Sequence, residues 1–335
     1  TLINFKQILI LVTTFLMERS FYRSPNLSPE QLGQLLKKDN ITSGTHFILL
    51  YSVFLGTGIG LVLTRHYSWW LFLPFLLVFS SCIPALFACQ HESIHQTAFR
   101  NRSLNYWVAL LTGTAYAYPP TLFKDFHFAH HQYTHQPGRD PEISLGRWPV
   151  PSVIEQFPSY LSWITGLPLL LFRLLMITIG ALGTPEPIRR LLLPFLDSKH
   201  RFKLFLECWL VLVLHGSIVY LAMTSYPAFW GLIMGQLIGT AFWASYTAAE
   251  HNGLPHEGNI LEKTRSIKSK AWLRWWMWNM PYHAEHHAYP AVPHHALPTL
   301  HQLLEKELIH KEATHASFHR QVLHDTTIGG LKQSK

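Results

Sequence analysis

Four stretches of the chain carry no charged residue at all: residues 47–64, 69–89, 208–226 and 227–249. Each is long enough to cross about 30 Å of hydrocarbon, which takes roughly 17 to 25 helical residues. The first two are separated only by Arg65, His66, Tyr67 and Ser68, and the last two meet at Tyr226 and Pro227. Each pair therefore predicts a tight helical hairpin. Two further apolar segments are interrupted, residues 104–123 by Pro119 and Pro120 and residues 160–182 by Pro168 and Arg173. Both are predicted as re-entrant or interfacial helices that return to the side they left. The apolar run at residues 8–17, followed by Glu18 and Arg19, is too short to span and has no small-residue cleavage site, so it predicts an interfacial helix. Leu297, Leu300, Leu304 and Leu308 recur at helical spacing and predict an amphipathic helix over residues 297–309, packed on a soluble cap.

Composition sharpens this picture. With 48% hydrophobic and only 14% charged residues, the 335-residue chain is unlike a soluble protein, where about 25% are charged. Its mean hydropathy of +0.12 is nevertheless too low for a chain immersed in lipid throughout. A mixed membrane protein follows. Arg65 is the only lysine or arginine in a hairpin tip, whereas Arg100, Arg102, Lys124, Arg139, Arg147, Arg189, Arg190, Lys199, Arg201, Lys203 and the run at 263–274 fall on the opposite side. By the positive-inside rule that side, with both termini, is cytoplasmic. The net charge of +8 then reflects topology and contact with anionic lipid rather than nucleic-acid binding. The expected organisation is an N-terminal interfacial segment (1–45), a first hairpin (46–90), a cytoplasmic and interfacial region (91–203), a second hairpin (204–249) and a cytoplasmic cap (250–335).

Three cysteines, Cys82, Cys89 and Cys208, exclude a disulfide framework, a four-cysteine iron site or a zinc ribbon. Histidine is the abundant ligand type, at 22 residues, and three clusters stand out: His91 with His95, then His127, His130 and His131, then His283, His286 and His287. Spacings of three and four place the rings of each cluster on one helical face, about 5 to 6 Å apart at Cβ. At this histidine content one HxxHH arises by chance with an expectation of roughly 0.1, so two of them plus an HxxxH are a strong signal. All three clusters reach the same metals only if residues 104–123 do not cross the bilayer. The fold class that results is an all-α membrane protein: about four transmembrane helices in two hairpins, interfacial helices, and a cytoplasmic helical cap holding a dimetal site.

These boxes resemble the integral-membrane fatty acid desaturase and hydroxylase superfamily, whose signature is an HxxxH or HxxxxH followed by two HxxHH boxes. The likeness covers about residues 90–143 and 249–304. The segments Gln90-His-Glu-Ser-Ile-His-Gln-Thr-Ala-Phe99, Gly138-Arg-Asp-Pro-Glu142 and Asn279-Met-Pro-Tyr-His-Ala-Glu-His-His-Ala-Tyr-Pro290 are similar to the bacterial fatty acid desaturase branch. The resemblance implies two non-haem irons, O2 as co-substrate, a separate electron donor of ferredoxin, rubredoxin or cytochrome type, and a bacterial inner membrane. It also implies nine ligands: His91, His95, His127, His130, His131, His283, His286, His287 and, within Glu250-His-Asn-Gly253, His251. His135 and His294 lie outside the boxes and are left as proton acceptors or outer partners. Nine imidazoles are too many for one tetrahedral zinc and suit two five- or six-coordinate ions, although imidazole does not distinguish iron from zinc, copper or nickel. Carboxylates behind the histidines would fix their tautomers, the candidates being Glu92, Asp125, Asp140, Glu142, Glu250 and Glu285.

The expected reaction is fatty acyl desaturation. Hydroxylation or ketolation of an alkyl or carotenoid substrate, and oxidative decarboxylation of a fatty acid to a terminal alkene, are alternatives within the family. From other classes come a membrane zinc protease using the HExxH at residues 91–95, with Glu92 as general base, and a metal-binding or transport protein without catalysis. Trp272, Trp275, Trp276 and Trp278 predict an aromatic belt at the interface. His215, in mid-span, is expected to bond to a neighbouring helix, and Glu207 to sit at the interface. The basic run at 263–274, with Lys268 and Lys270, is either a solvated face or a dock for an acidic electron donor.

Overall fold

The computed structural model describes residue 24 and residues 26–65, 68–146, 148–149 and 156–328. The expected interfacial helix at 8–17 lies outside the described residues. After a short helix α1 (Pro29–Leu35) comes α2 (Asn40–Thr64), whose first N–H groups are capped by Asp39 Oδ1 through Ile41 and Thr42. Ser68 caps the next helix, α3 (Trp69–Ile94). The first hairpin forms as predicted, with α2 and α3 packed together and Gly60 giving Phe75 room.

Helix α4 (Arg102–Ala115) has 14 residues, about 21 Å at 1.5 Å per residue, and is too short to cross. The chain breaks at residues 116–119 and resumes as α5 (Pro120–Tyr133), so residues 104–123 do not form one continuous helix. Non-helical backbone at membrane depth survives only where protein satisfies its polar groups. Here four helices supply the donors. His215 Nε2 bonds Thr114 O at 2.8 Å, Gln236 Nε2 donates to Ala115 O at 2.6 Å, Arg173 to Tyr116 O, and Gln90 Nε2 to Tyr118 O at 2.9 Å. The expected helix-to-helix role of His215 is thereby met.

The segment at 160–182 is also broken, into α6 (Phe157–Ile164) and α7 (Leu167–Ala181), bent by 61°. Helix α8 (Glu186–Leu192) leads to α9 (Arg201–Thr224) and α10 (Trp230–His251). The predicted second hairpin is not a tight pair: α9 packs chiefly on α7, and α10 on α3. The cause is a row of small residues. Gly231, Gly235 and Gly239, each four apart, face Phe72, Phe79 and Ile83 of α3, and a Cβ at Gly235 would lie 2.5 Å from the Phe79 ring. Small residues at this spacing let helix backbones close on one another. Helix α3 is thus clasped between α2 and α10, and every residue from Cys82 to Ile94 is buried.

Among the described residues, three helical stretches are long and apolar enough to cross a membrane, Pro29–Thr64, Trp69–Ile94 and Ser198–Thr224, or four if the bent pair counts as one span. The fourth expected span, α10, is not among them: its glycines and threonines lower its hydropathy, and while its glycine face packs on α3, Met234, Leu237 and Phe242 on the other face stay exposed. The remainder forms the cap: α11 (Ala271–Trp276), α12 (His283–Ala288), α13 (Leu297–Leu304) and α14 (His315–Ile328). Among the described residues the only strands are two short pairs, β1 (Ser144–Leu145) antiparallel to β2 (Trp148–Pro149) and β3 (Arg265–Ile267) parallel to β4 (His310–Glu312). The fold is that of an all-α membrane protein. The helix expected over 297–309 stops at Leu304, because the chain then turns to pair β4 with β3, but all four leucines are buried as expected.

Candidate metal centre

The nine predicted histidines converge, and they do so as two groups. His91, His95, His127, His131 and His286 place one ring nitrogen each within 4.8 Å of one another, as do His130, His251, His283 and His287. Each HxxHH box divides between them: on α5 the i, i+4 pair His127 and His131 serves the first group and His130 the second, while on α12 His283 and His287 serve the second and His286 the first. Helices α3 and α10 deliver His91 and His251 from their last turns, and His95 caps α3. All but His95 are buried. The groups touch where the rings of His131 and His287 stack at 4.0 Å.

The nitrogens that face one another are Nε2 atoms. In the first group His127 Nε2 lies 3.0 Å from His95 Nε2 and 2.8 Å from His131 Nε2, which is 3.1 Å from His286 Nε2. In the second, His251 Nε2 is 3.1 Å from His130 Nε2 and 2.8 Å from His283 Nε2. Donors about 2.1 Å from one ion and at right angles would be ~3.0 Å apart, against ~3.4 Å in a tetrahedron. These nearest pairs lie near the right-angle spacing, while all the donors of each group fall within 4.8 Å of one another.

A charge balance supports the fit. His130 directs Nδ1 to Asp140 Oδ1 at 3.0 Å, and His251 directs Nδ1 to the Lys263 carbonyl at 2.9 Å. With both N–H groups committed outward, two lone pairs would confront each other at 3.1 Å, an arrangement that a cation between them would relieve. Without metal that cation is a proton: burial disfavours the charged His130 ring, yet Glu142 and Asp140 more than offset it and hold it up at about 9. Burial, reinforced by neighbouring imidazoles, pushes His127, His131, His283, His286 and His287 well below the ordinary histidine range and so favours their neutral form. Both ring nitrogens of His91 and of His287, and Nδ1 of His286, are buried without any hydrogen-bond partner. On each of the His91 and His287 rings a metal ion would take the lone pair of one nitrogen, the other carrying the proton.

The six candidate carboxylates divide. Asp140 holds His130, Glu142 Oε2 stands 3.6 Å from the same Nδ1, and Glu250 Oε1 lies 3.5 Å from His283 Nδ1. The other three bond elsewhere. Glu92 Oε1 accepts the His294 N–H at 2.9 Å, Glu285 accepts from Ser266 Oγ at 2.8 Å and from His301, and Asp125 pairs with His200 Nδ1 at 2.8 Å. For Asp125 the reason is helical phase: two residues ahead of His127, it points away from the histidine face toward the start of α9. His135 reaches the centre through its backbone N–H, 2.7 Å from Asp140 Oδ2, and its ring lies 5.5 Å from that of His251. His294 bonds Ser43 Oγ, and its ring lies tilted against that of Trp278 with centroids 4.5 Å apart.

Two partners had no sequence signal: the Lys263 carbonyl, and the aromatic wall of Phe87, Phe123 and Trp243 between the break at 116–119 and His91. Trp272 and Trp275 are exposed as a belt requires, but Trp278 is fully buried, where its ring stacks on His46. Glu207, expected at the interface, is buried. Of the basic run, Lys263 and Arg265 are buried, and of its lysines and arginines only Lys268 and Lys270 are exposed.

The family model for fatty acid desaturases matches residues 67–319, about three quarters of the chain, with all nine histidines inside the match. The chain belongs to the fatty acid desaturase family. No curated protein matches it. As a member of the desaturase family it is a membrane oxidoreductase, and its two histidine groups are able to hold metal.

Proposed function

We propose that this desaturase-family chain is an O2-dependent diiron enzyme that desaturates fatty acyl chains. The observation that carries the reading is the pair of imidazole groups with Nε2 atoms 2.8–3.1 Å apart. Five donors in one group and four in the other leave open positions on two six-coordinate ions. Bound there, two irons would supply the redox chemistry that activates O2 against an unactivated C–H bond. The chain's own residues supply the setting. Asp140 and the Lys263 carbonyl keep Nδ1–H on His130 and His251, so that Nε2 faces inward. Phe87, Phe123 and Trp243 exclude water from the membrane-facing side of His91 and His127 and give an acyl chain an apolar wall.

Desaturation ranks ahead of hydroxylation, ketolation and terminal-alkene formation because the sequences flanking the boxes are most similar to the acyl desaturase branch. The protease reading loses its base, since Glu92 turns to the His294 backbone, and it leaves the two HxxHH boxes without a role. The same reading places the centre at the cytoplasmic face, in a bacterial inner membrane, and draws electrons from a separate acidic carrier. The test is gas chromatography with mass spectrometry of lipids and hydrocarbons from cells making the chain, beside a His286→Ala control, with iron measured in both proteins. New acyl double bonds absent from the control are the expected result. An unchanged acyl profile from folded, iron-loaded protein overturns the acyl assignment, and a new alcohol or terminal alkene names the reaction instead.

A further inference from the structure

Helix α5 carries three of the nine histidines but opens without a cap of its own. Pro119 precedes it and offers no side-chain acceptor, and Pro120 fills its first position. Uncapped N–H groups at a buried helix start are costly. The missing acceptor comes from another helix. Glu207, in the apolar stretch of α9, is only 3% exposed and sets Oε2 2.8 Å from the Thr121 N–H and Oε1 2.7 Å from Thr121 Oγ1. Tyr106 of α4 donates its hydroxyl to the same Oε1 at 3.1 Å, and Lys203 Nζ lies 3.6 Å from the centre of the Tyr106 ring. An anion at this point also suits the positive end of the α5 dipole. A second carboxylate ties the same two elements together: Asp125 of α5 accepts from His200 and from the Asp197 N–H at 3.1 Å, just ahead of α9.

A buried carboxylate in an apolar helix is expensive unless its bonds do something specific. We propose that Glu207 is a positioning residue for the metal centre: it fixes the start and the rotation of α5, and with them the directions of His127, His130 and His131. The inference rests on the two-metal reading above. His127 lies six residues, about 9 Å, beyond Thr121 on an unbroken helix, so a turn or slip at the capped end is carried to all three rings. Because α5 serves both histidine groups, both ions would feel the change.

The test uses the full chain, purified in detergent, stripped of metal and titrated with cobalt(II), following the visible d–d absorption beside thermal unfolding. Glu207→Ala is expected to weaken cobalt binding about tenfold or more, the scale seen when partners behind ligands are lost, and to change the shape of the spectrum. Glu207→Gln, which keeps one acceptor oxygen, is expected between that variant and the wild type. A Glu207→Ala protein that unfolds earlier yet binds cobalt with wild-type affinity and spectrum overturns the proposal, since a merely structural role moves only stability. If Glu207→Ala does not fold, Tyr106→Phe and Thr121→Val each remove a single bond and decide the matter: weakened binding supports the proposal, and unchanged binding overturns it. A wild-type chain that takes up no cobalt overturns the metal reading itself, a result distinct from any difference among variants.

Discussion

Asp140 holds His130 Nδ1 at 3.0 Å and, with the same carboxylate, the backbone N–H groups of His135 at 2.7 Å and Glu142 at 2.9 Å. It thereby locks the turn after α5 onto the box it follows. Asp140→Asn keeps acceptor oxygen for part of this but removes the charge that favours N–H at Nδ1. Metal affinity should fall by about 10–100-fold, as for other groups that orient ligating histidines. Metal content by mass spectrometry and a cobalt titration check it, and undiminished affinity would show that the backbone bonds alone suffice.

Glu92 lies between His91 and His95 in sequence but spends Oε1 on the His294 N–H. Glu92→Gln leaves a carbonyl oxygen for that bond. Both metals should be retained and turnover should stay within a few-fold of wild type, whereas loss of a general base would cost about 10²–10⁴-fold. Peptidase activity in the wild type that vanishes in Glu92→Gln would reverse this reading.

What was legible in the sequence was whatever the local helical period controls. The eight box histidines, the first hairpin and the break at Pro119–Pro120 follow from spacing, apolar length and proline, whereas His251 came from the family resemblance. Which histidine joins which group was not legible, because that depends on how α5 and α12 dock against each other. Nor was the course of α10, although the Gly231, Gly235 and Gly239 row is visible once packing rather than hydropathy is asked about. The burial of Glu207 and of Trp278 was not legible for a common reason. A polar atom in an apolar stretch reads as interfacial until a tertiary partner such as Thr121, or a stacking ring such as His46, is seen to take it inside. A backbone acceptor such as the Lys263 carbonyl carries no side-chain signature at all.

The close approach of α10 to α3 makes Gly239 sensitive to volume. Any Cβ there meets the Ile83 side chain and comes within 2.8 Å of the Ser80 carbonyl, which is backbone and does not swing aside. Gly239→Val should destabilise the protein by about 1–3 kcal/mol, the usual cost of overpacking. Because α3 carries His91 and α10 carries His251, metal content should fall as well. Thermal unfolding in detergent and metal analysis test both halves. Gly56, where an added Cβ would meet nothing within 4 Å, is the matched control: Gly56→Val should leave both unchanged.

An acidic electron carrier would meet the exposed Lys268 and Lys270. Attraction between surface charges is screened by salt and acts mainly on encounter. Reversing both lysines to glutamate should raise the KM for the donor several-fold and flatten its dependence on ionic strength, while turnover driven by a small chemical reductant stays the same. Donor kinetics across a salt series measure this, and unaltered kinetics would move the docking site elsewhere.

The docking of α14 should be sensitive to acid. His315 stacks on Tyr246 of α10 at 4.7 Å and bonds Ser269 Oγ at 3.2 Å, and burial, with the charge of His319, pushes it down to about 4. An unfolded chain would protonate the same ring near 6.5. Below that pH the unfolded state holds more protons than the folded one, so stability falls as pH drops. The contribution of His315 is therefore fully present above about 6.5, declines between about 6.5 and 4 by at most ~1.4 kcal/mol per pH unit, and changes no further below the folded value. Thermal unfolding followed from pH 8 to pH 4 should show this decline, and His315→Gln, which does not titrate, should make the curve shallower over that window. A variant whose curve keeps the wild-type slope would place the acid-sensitive contact on another group.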